Sequence, residues 1–316
     1  MRLSGKSSSI MKVWKENRMN DVVKAINLSK HYGKNVALSD LSAAIPENSI
    51  TGLIGRNGSG KTTLMKILAG LLDKTSGEAL IFGERPMDNL SVLNRLVYTC
   101  HDMAYDPKLN LRTILTAYKT MFAGFDTEFA DKLMKYFDLG GKMKYHSLSQ
   151  GMGSIFNFLC ALSCRTPITM LDEPVLGMDV TVRKAAYEIL LRDFTEHPRT
   201  FIISSHLLSE IEGTLSDILL IEQGKAVLNC SIDDVRQSAY RVDGNAVALD
   251  SYLSGKKIIA RKTSEIVSFA VIYERLTESA AESAKRQGLT VSSVKAEDVC
   301  VYLTQQNKEG EFECLW

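Results

Sequence analysis

The chain is 316 residues long, more than one hydrophobic core ordinarily holds, so about two domains are expected. Hydrophobic residues at 45% and charged residues at 24%, with a net charge of +1, are ordinary for a globular protein and exclude a bulk electrostatic grip on nucleic acid or anionic lipid. The longest apolar run, around 155–171, is broken by Asn157 and Arg165, so no segment reads as a membrane-spanning helix.

Residues 1–18 carry Arg2, Lys6, Lys12, Lys15 and Arg18 with three consecutive serines and no apolar stretch. They read as a disordered extension and not as a secretory signal, with the folded part opening at Met19. From 21 to 54 short apolar runs alternate with turns, which predicts two or three strands, the last being SITGLI at 49–54. Tyr32 in this stretch can stack on a base or simply pack half-buried. GRNGSGKT at 55–62 fits the phosphate-loop pattern G-x-x-x-x-G-K-[ST]. Gly55, Gly58 and Gly60 let the backbone fold close to a nucleotide, its N–H groups turned toward phosphate oxygens. In this motif Lys61 reaches the β- and γ-phosphates and the Thr62 hydroxyl ligates Mg²⁺. TTLMKILAGLL then has helical spacing, which would set the phosphates on a helix N-terminus. A bound nucleoside triphosphate is the expectation.

GEALIFGE at 77–84 predicts a further strand. Over 107–140 the period becomes helical, in LRTILTAYKTMFAGF and EFADKLMKYFDLGG, with Gly140–Gly141 as the stop. LSQGM at 148–152 opens an apolar helix to about residue 163. PITMLDEP at 167–174 is a buried strand delivering Asp172 and Glu173 at its C-terminal edge, where parallel sheets bind ligands. Asp172 suits Mg²⁺, and Glu173 suits the polarising of an attacking water. TFIISSH at 200–206 is another buried strand, ending in His206. Beyond 230, SIDDVRQSAY reads as a helix capped by Ser231. YRVDGNAVALD, KKIIARKT and EIVSFAVIYE read as strands, TESAAESAKRQG as a helix ended by glycine, and KAEDVCVYLTQQ as a last helix. The six cysteines (100, 160, 164, 230, 300, 314) have no paired spacing and read as reduced thiols of a cytosolic protein.

The ordered set GRNGSGKT, LSQGM, ITMLDE, LGMD and SSH resembles the nucleotide-binding subunit of an ABC transporter, over roughly residues 21–225. The wording LSQGMGSIFNF and HPRTFIISSHLLSEIE resembles the bacterial branch with separate membrane subunits, which includes exporters of peptides and antibiotics. The resemblance implies an α/β fold of the P-loop ABC-type ATPase, with a mixed sheet and a helical signature subdomain at about 105–165. It implies an ATP-binding domain over 19–229 and an accessory α+β domain over 230–316. By resemblance, Tyr32 stacks on adenine, and Gly55, Asn57, Gly58, Ser59, Gly60, Lys61, Thr62 and Thr63 hold the phosphates. Thr62 and Asp172 hold Mg²⁺, and catalysis falls to Glu173 as general base, with His206 and Lys61. Ser149 and Gly151 resemble the signature that closes over ATP held by a second subunit, and Asp179 the residue signalling between the two sites. The implied partners are polytopic membrane subunits and a second ATP-binding subunit, identical or not, at the cytoplasmic face of the membrane, and no nucleic acid.

Three departures from the family pattern stand out. Gln150 and Met152 replace the third and fifth residues of the usual LSGGQ. Val175 and Met178 replace common residues of the following turn, a packing variation. The glutamine expected near VYTCHDM (97–103) is missing; His101 aligns with it best and Asp102 next, and a histidine titrates near neutral pH where glutamine does not. That loss leaves room for an ATP-binding sensor subunit with little hydrolysis. A soluble ABC-type ATPase acting on nucleic acid or ribosomes fits less well, because only 85 residues separate Thr62 from Leu148, leaving no room for a long coiled coil.

Overall fold

The computed structural model describes residues 20–263 and 268–305. The extension expected at 1–18, Met19 and Cys314 lie outside the described residues, as do residues 265–267 of the predicted strand EIVSFAVIYE and Gln306 of the predicted last helix.

β1 (Asp21–Tyr32) and β2 (Asn35–Pro46) form a long antiparallel hairpin. β3 (Ile50–Ile54) is wholly buried and runs into α1 (Lys61–Leu68); β4 (Ser76–Ile81) then returns to pair with β1. Short α2 (Leu90–Leu93) precedes β5 (Leu96–Cys100). Three helices follow: α3 (Leu111–Met121), α4 (Thr127–Tyr136) and α5 (Gln150–Ser163). β6 (Ile168–Asp172), α6 (Val180–Glu196), β7 (Thr200–Ser205), short α7 (Leu208–Ile211), β8 (Asp217–Glu222) and β9 (Lys225–Ser231) follow. The principal sheet has order β5-β6-β7-β3-β8-β9. The pairs from β5 through β8 are all parallel, which explains why β3, β6 and β7 are continuous apolar or small-residue runs without alternation. A second sheet, β2-β1-β4, is antiparallel, and α1 is buried in the core shared with it through Leu64, Met65, Ile67 and Leu68.

The chain divides between Asn229 and Cys230 into two compact units. The second contains α8 (Ile232–Gln237), β10 (Tyr240–Gly244), α9 (Ala246–Leu253), β11 (Ile258–Lys262), β12 (Ser268–Ile272), α10 (Glu278–Arg286), β13 (Thr290–Ser293) and α11 (Ala296–Gln305). Its antiparallel sheet has order β11-β12-β10-β13, a β-α-β-β-α-β arrangement with its own core of Tyr240, Val242, Leu249, Leu253, Ile272 and Leu289.

Two local expectations are corrected. The helix predicted to run to Gly140–Gly141 stops at Tyr136, because Asp138 takes a left-handed φ of 57° and Leu139 donates its N–H back to Met134 O, closing the last turn early. YRVDGNAVALD is a strand only through Gly244. The Asn245 side chain accepts the Ala248 N–H at 2.8 Å and starts α9, whose Leu249, Tyr252 and Leu253 point into the core at helical spacing.

Candidate nucleotide site

Parallel register brings the strand ends together. Ile54 pairs with Ser205, Asp172 with Ser204, and Cys100 with Asp172, so Gly55, His206, Glu173 and His101 all leave the sheet at its C-terminal edge. This is the edge where α/β sheets take ligands.

The loop after β3 is shaped by close backbone approach. A Cβ on Gly55 would lie 2.3 Å from Ile221 O, and one on Gly60, whose φ is +111°, would lie 2.6 Å from Ala37 O. Side chains are therefore excluded from both positions, while Asn57 and Gly58 at the tip are exposed. Ser59 Oγ is buried and without a hydrogen-bond partner, a polar atom turned into the loop. Lys61 is buried at the start of α1, and its Nζ donates to Gly55 O at 2.7 Å and to Arg56 O at 3.3 Å. Burial lowers its pKa, an effect opposed by the negative charges of Glu173 and Asp172. Thr62 is exposed in the first turn and Thr63 half-buried.

Asp172 is buried at the end of β6. Its Oδ2 accepts from Tyr98 OH at 3.1 Å, and its Oδ1 accepts from Ser204 Oγ. Burial and the adjacent Asp172 raise the Tyr98 pKa, so the phenol remains a donor. Glu173 leaves the strand with φ +49°, a left-handed conformation uncommon outside glycine. Its N–H donates to Ser204 Oγ at 2.8 Å. Its carboxylate lies 3.0 Å from His206 Nδ1 and 3.8 Å from Lys61 Nζ. Lys61, Asp172, Glu173 and His206 thus form one constellation. Tyr98 and Ser204, to which the sequence patterns gave no role, are part of it; Ser204 is the first residue of the SSH stretch, where only His206 had been assigned one.

Ser149, Gly151 and Asp179 belong to a second cluster. Ser149 caps α5, accepting the Met152 N–H at 3.3 Å, and Asp179 caps α6, accepting the Thr181 and Val182 N–H groups at 2.9 Å. Gly151 abuts the turn before Asp179: a Cβ there would lie 2.3 Å from Gly177 O. Tyr32 is half exposed at the β1–β2 turn, with Lys30 Nζ 5.2 Å from its ring centroid. His101, in the position where glutamine was expected, has a buried Nδ1 without a partner. Beside it the Cys100 thiol is pushed up to about 11 by burial and by Asp102, whose own carboxyl is lowered by its hydrogen bond with Cys100.

A profile of the ABC transporter family matches residues 38–176. The lantibiotic transport ATP-binding protein SrtF of Streptococcus pyogenes is 32% identical over 219 residues, covering 67% of this chain and 92% of SrtF. The chain belongs to the ABC transporter ATP-binding family. The ABC transporter ATP-binding protein YtrB of Bacillus subtilis is 26% identical over 215 residues, 68% of this chain and 74% of YtrB. A solved structure of the ATP-binding subunit of an ABC transporter shares the fold, with a TM-score of 0.61 at 23% identity, covering 68% of this chain and 92% of that one. As an ABC ATP-binding cassette, this chain binds ATP and is an ATPase subunit; such domains dimerise and work with membrane subunits. Among the described residues no helix is long and apolar enough to cross a membrane.

Proposed function

We propose that the chain hydrolyses ATP at the Lys61–Glu173–His206 site to drive export of a peptide, antibiotic or other amphipathic compound. In this reading it sits peripherally on the cytoplasmic face of the membrane, bound to polytopic subunits. The substrate class is supported by the relative named for lantibiotic transport, and export by the resemblance to the exporter branch. The observation that carries the catalytic reading is the Glu173 carboxylate, 3.0 Å from His206 Nδ1 and 3.8 Å from Lys61 Nζ at the open strand edge. Lys61 and the loop N–H groups cradle the phosphates, and Tyr32 stacks on the base. Thr62 and Asp172 would hold Mg²⁺. Both offer oxygen donors, which suits a hard cation such as Mg²⁺. When bound, Mg²⁺ neutralises charge on the phosphates. Glu173 orients and deprotonates the attacking water, and His206 steadies Glu173 and the γ-phosphate. Ser149 and Gly151 close on the nucleotide of a second ATP-binding subunit, using the N-terminus of α5, and Asp179 signals between the two sites. His101 takes the place of the missing glutamine.

Glu173→Gln is expected to bind ATP as the parent does and to lower turnover at least about a hundredfold, as expected for loss of a general base. Phosphate release checks this, and near-parental turnover would remove Glu173 from the role. Pull-down of tagged Glu173→Gln in detergent with ATP and Mg²⁺ should bring down a polytopic membrane protein in near-stoichiometric amount. Soluble proteins alone would refute the transporter assignment. His101 favours one alternative, a sensor subunit with little turnover; hydrolysis by the parent that Glu173→Gln abolishes would discard it.

A further inference from the structure

Glu173, at φ +49°, holds its backbone where side chains are rarely accommodated, and the one side-chain hydrogen bond to its N–H comes from Ser204 Oγ at 2.8 Å. A residue held in such a region persists only where its surroundings over-determine it. The same hydroxyl donates to Asp172 Oδ1. The polarity is fixed, because a carboxylate only accepts and a backbone N–H only donates, so the single hydroxyl proton must go to Asp172 and a lone pair to Glu173. Ser204 is fully buried, and the parallel register sets it directly beside Asp172. From the opposite neighbouring strand Tyr98 OH holds the other carboxylate oxygen at 3.1 Å. Two residues beyond Ser204 the same segment presents His206 to the Glu173 carboxylate at 3.0 Å. One hydroxyl therefore fixes both the orientation of Asp172 and the backbone from which Glu173 reaches out.

We propose that Ser204 is a positioning residue for hydrolysis, its hydroxyl aiming Glu173 at the water and setting the face Asp172 offers to the divalent cation. The inference rests on the assignment of Glu173 and Asp172 above. In the full chain, Ser204→Ala and the near-isosteric Ser204→Cys are compared with the parent and with Glu173→Gln. Both are expected to lower kcat about 10–100-fold with little change in KM for ATP, the usual effect of removing an outer partner of a ligating carboxylate. In equilibrium titrations with a fluorescent ATP analogue, both should require several-fold more Mg²⁺ for half-maximal gain in affinity, while affinity in chelator stays at the parental value. Turnover and Mg²⁺ requirement within twofold of the parent in either variant would overturn the proposal. So would a loss of affinity in chelator as large as the loss of turnover, since Ser204 would then be holding up the fold. Undiminished hydrolysis by Glu173→Gln overturns the underlying catalytic assignment instead, whatever the Ser204 variants do.

Discussion

Gly151 shows two demands meeting at one residue. The family resemblance marks it as a signature glycine facing nucleotide, whereas the fold gives it a packing reason: its Cα approaches the Gly177 carbonyl so closely that a Cβ would stand 2.3 Å from the oxygen. Neither backbone is a flexible side chain that can swing aside. Gly151→Ala is therefore expected to destabilise the first unit by about 1–3 kcal/mol through overpacking, measured by urea unfolding. Unchanged stability would mean that the turn at 176–179 gives way freely. Gly177 itself, at φ +79°, is the complementary half of this contact, and Ser154 Oγ donates to Leu176 O at 2.7 Å just beside it. Signature helix and following turn are thus one joint.

At the scale of the element, α5 explains the two interruptions that kept 155–171 from reading as a membrane span. Asn157 is buried and works as a hub. Its Nδ2 donates to Cys100 O and to Tyr145 OH, both at 2.9 Å, and its Oδ1 accepts from Tyr105 OH at 3.2 Å. Tyr105 OH also meets Tyr118 OH of α3 at 3.0 Å. The helix is tied in this way to the segment that carries His101. Arg165 closes the other end, pairing with Asp193 and with Asp126 and lying 4.5 Å from the Phe129 ring. Asn157→Leu keeps the volume but leaves buried polar groups unpaired, so a loss of about 1–3 kcal/mol is expected in chemical unfolding, from the cost of even one such group. Stability equal to the parent would show that water replaces the amide fully.

At the scale of the whole molecule, each unit buries its own core, one around Leu38, Leu64, Met65 and Ile221 and the other around Tyr240, Val242 and Leu249. A fragment ending at Ser231, which keeps β9 whole, is therefore expected to unfold cooperatively and to bind ATP with an affinity within a few-fold of the full chain. Thermal unfolding and a nucleotide titration check it. A fragment that aggregates or loses ATP binding would show that the second unit is needed to complete the first.

What the sequence determined by itself lies in contiguous stretches. The glycines and Lys61 of the loop, the acidic pair after an apolar strand, and the period change between 107 and 140 are local patterns whose chemistry is written in neighbouring residues. The misplaced helix end at Asp138 and the hidden start of α9 at Asn245 show the limit even there, since a left-handed residue or a side-chain cap can end or begin an element that periodicity alone would carry through. Only the tertiary structure decided the rest. Tyr98 and Asp172 are 74 residues apart in the chain, and Ser204 and Asp172 are 32 apart, and they meet because the order β5-β6-β7-β3 sets their strand ends side by side. Such pairings leave no periodic trace in the sequence, because strand order and register are settled by burial of the whole sheet and not by the residues that come to touch.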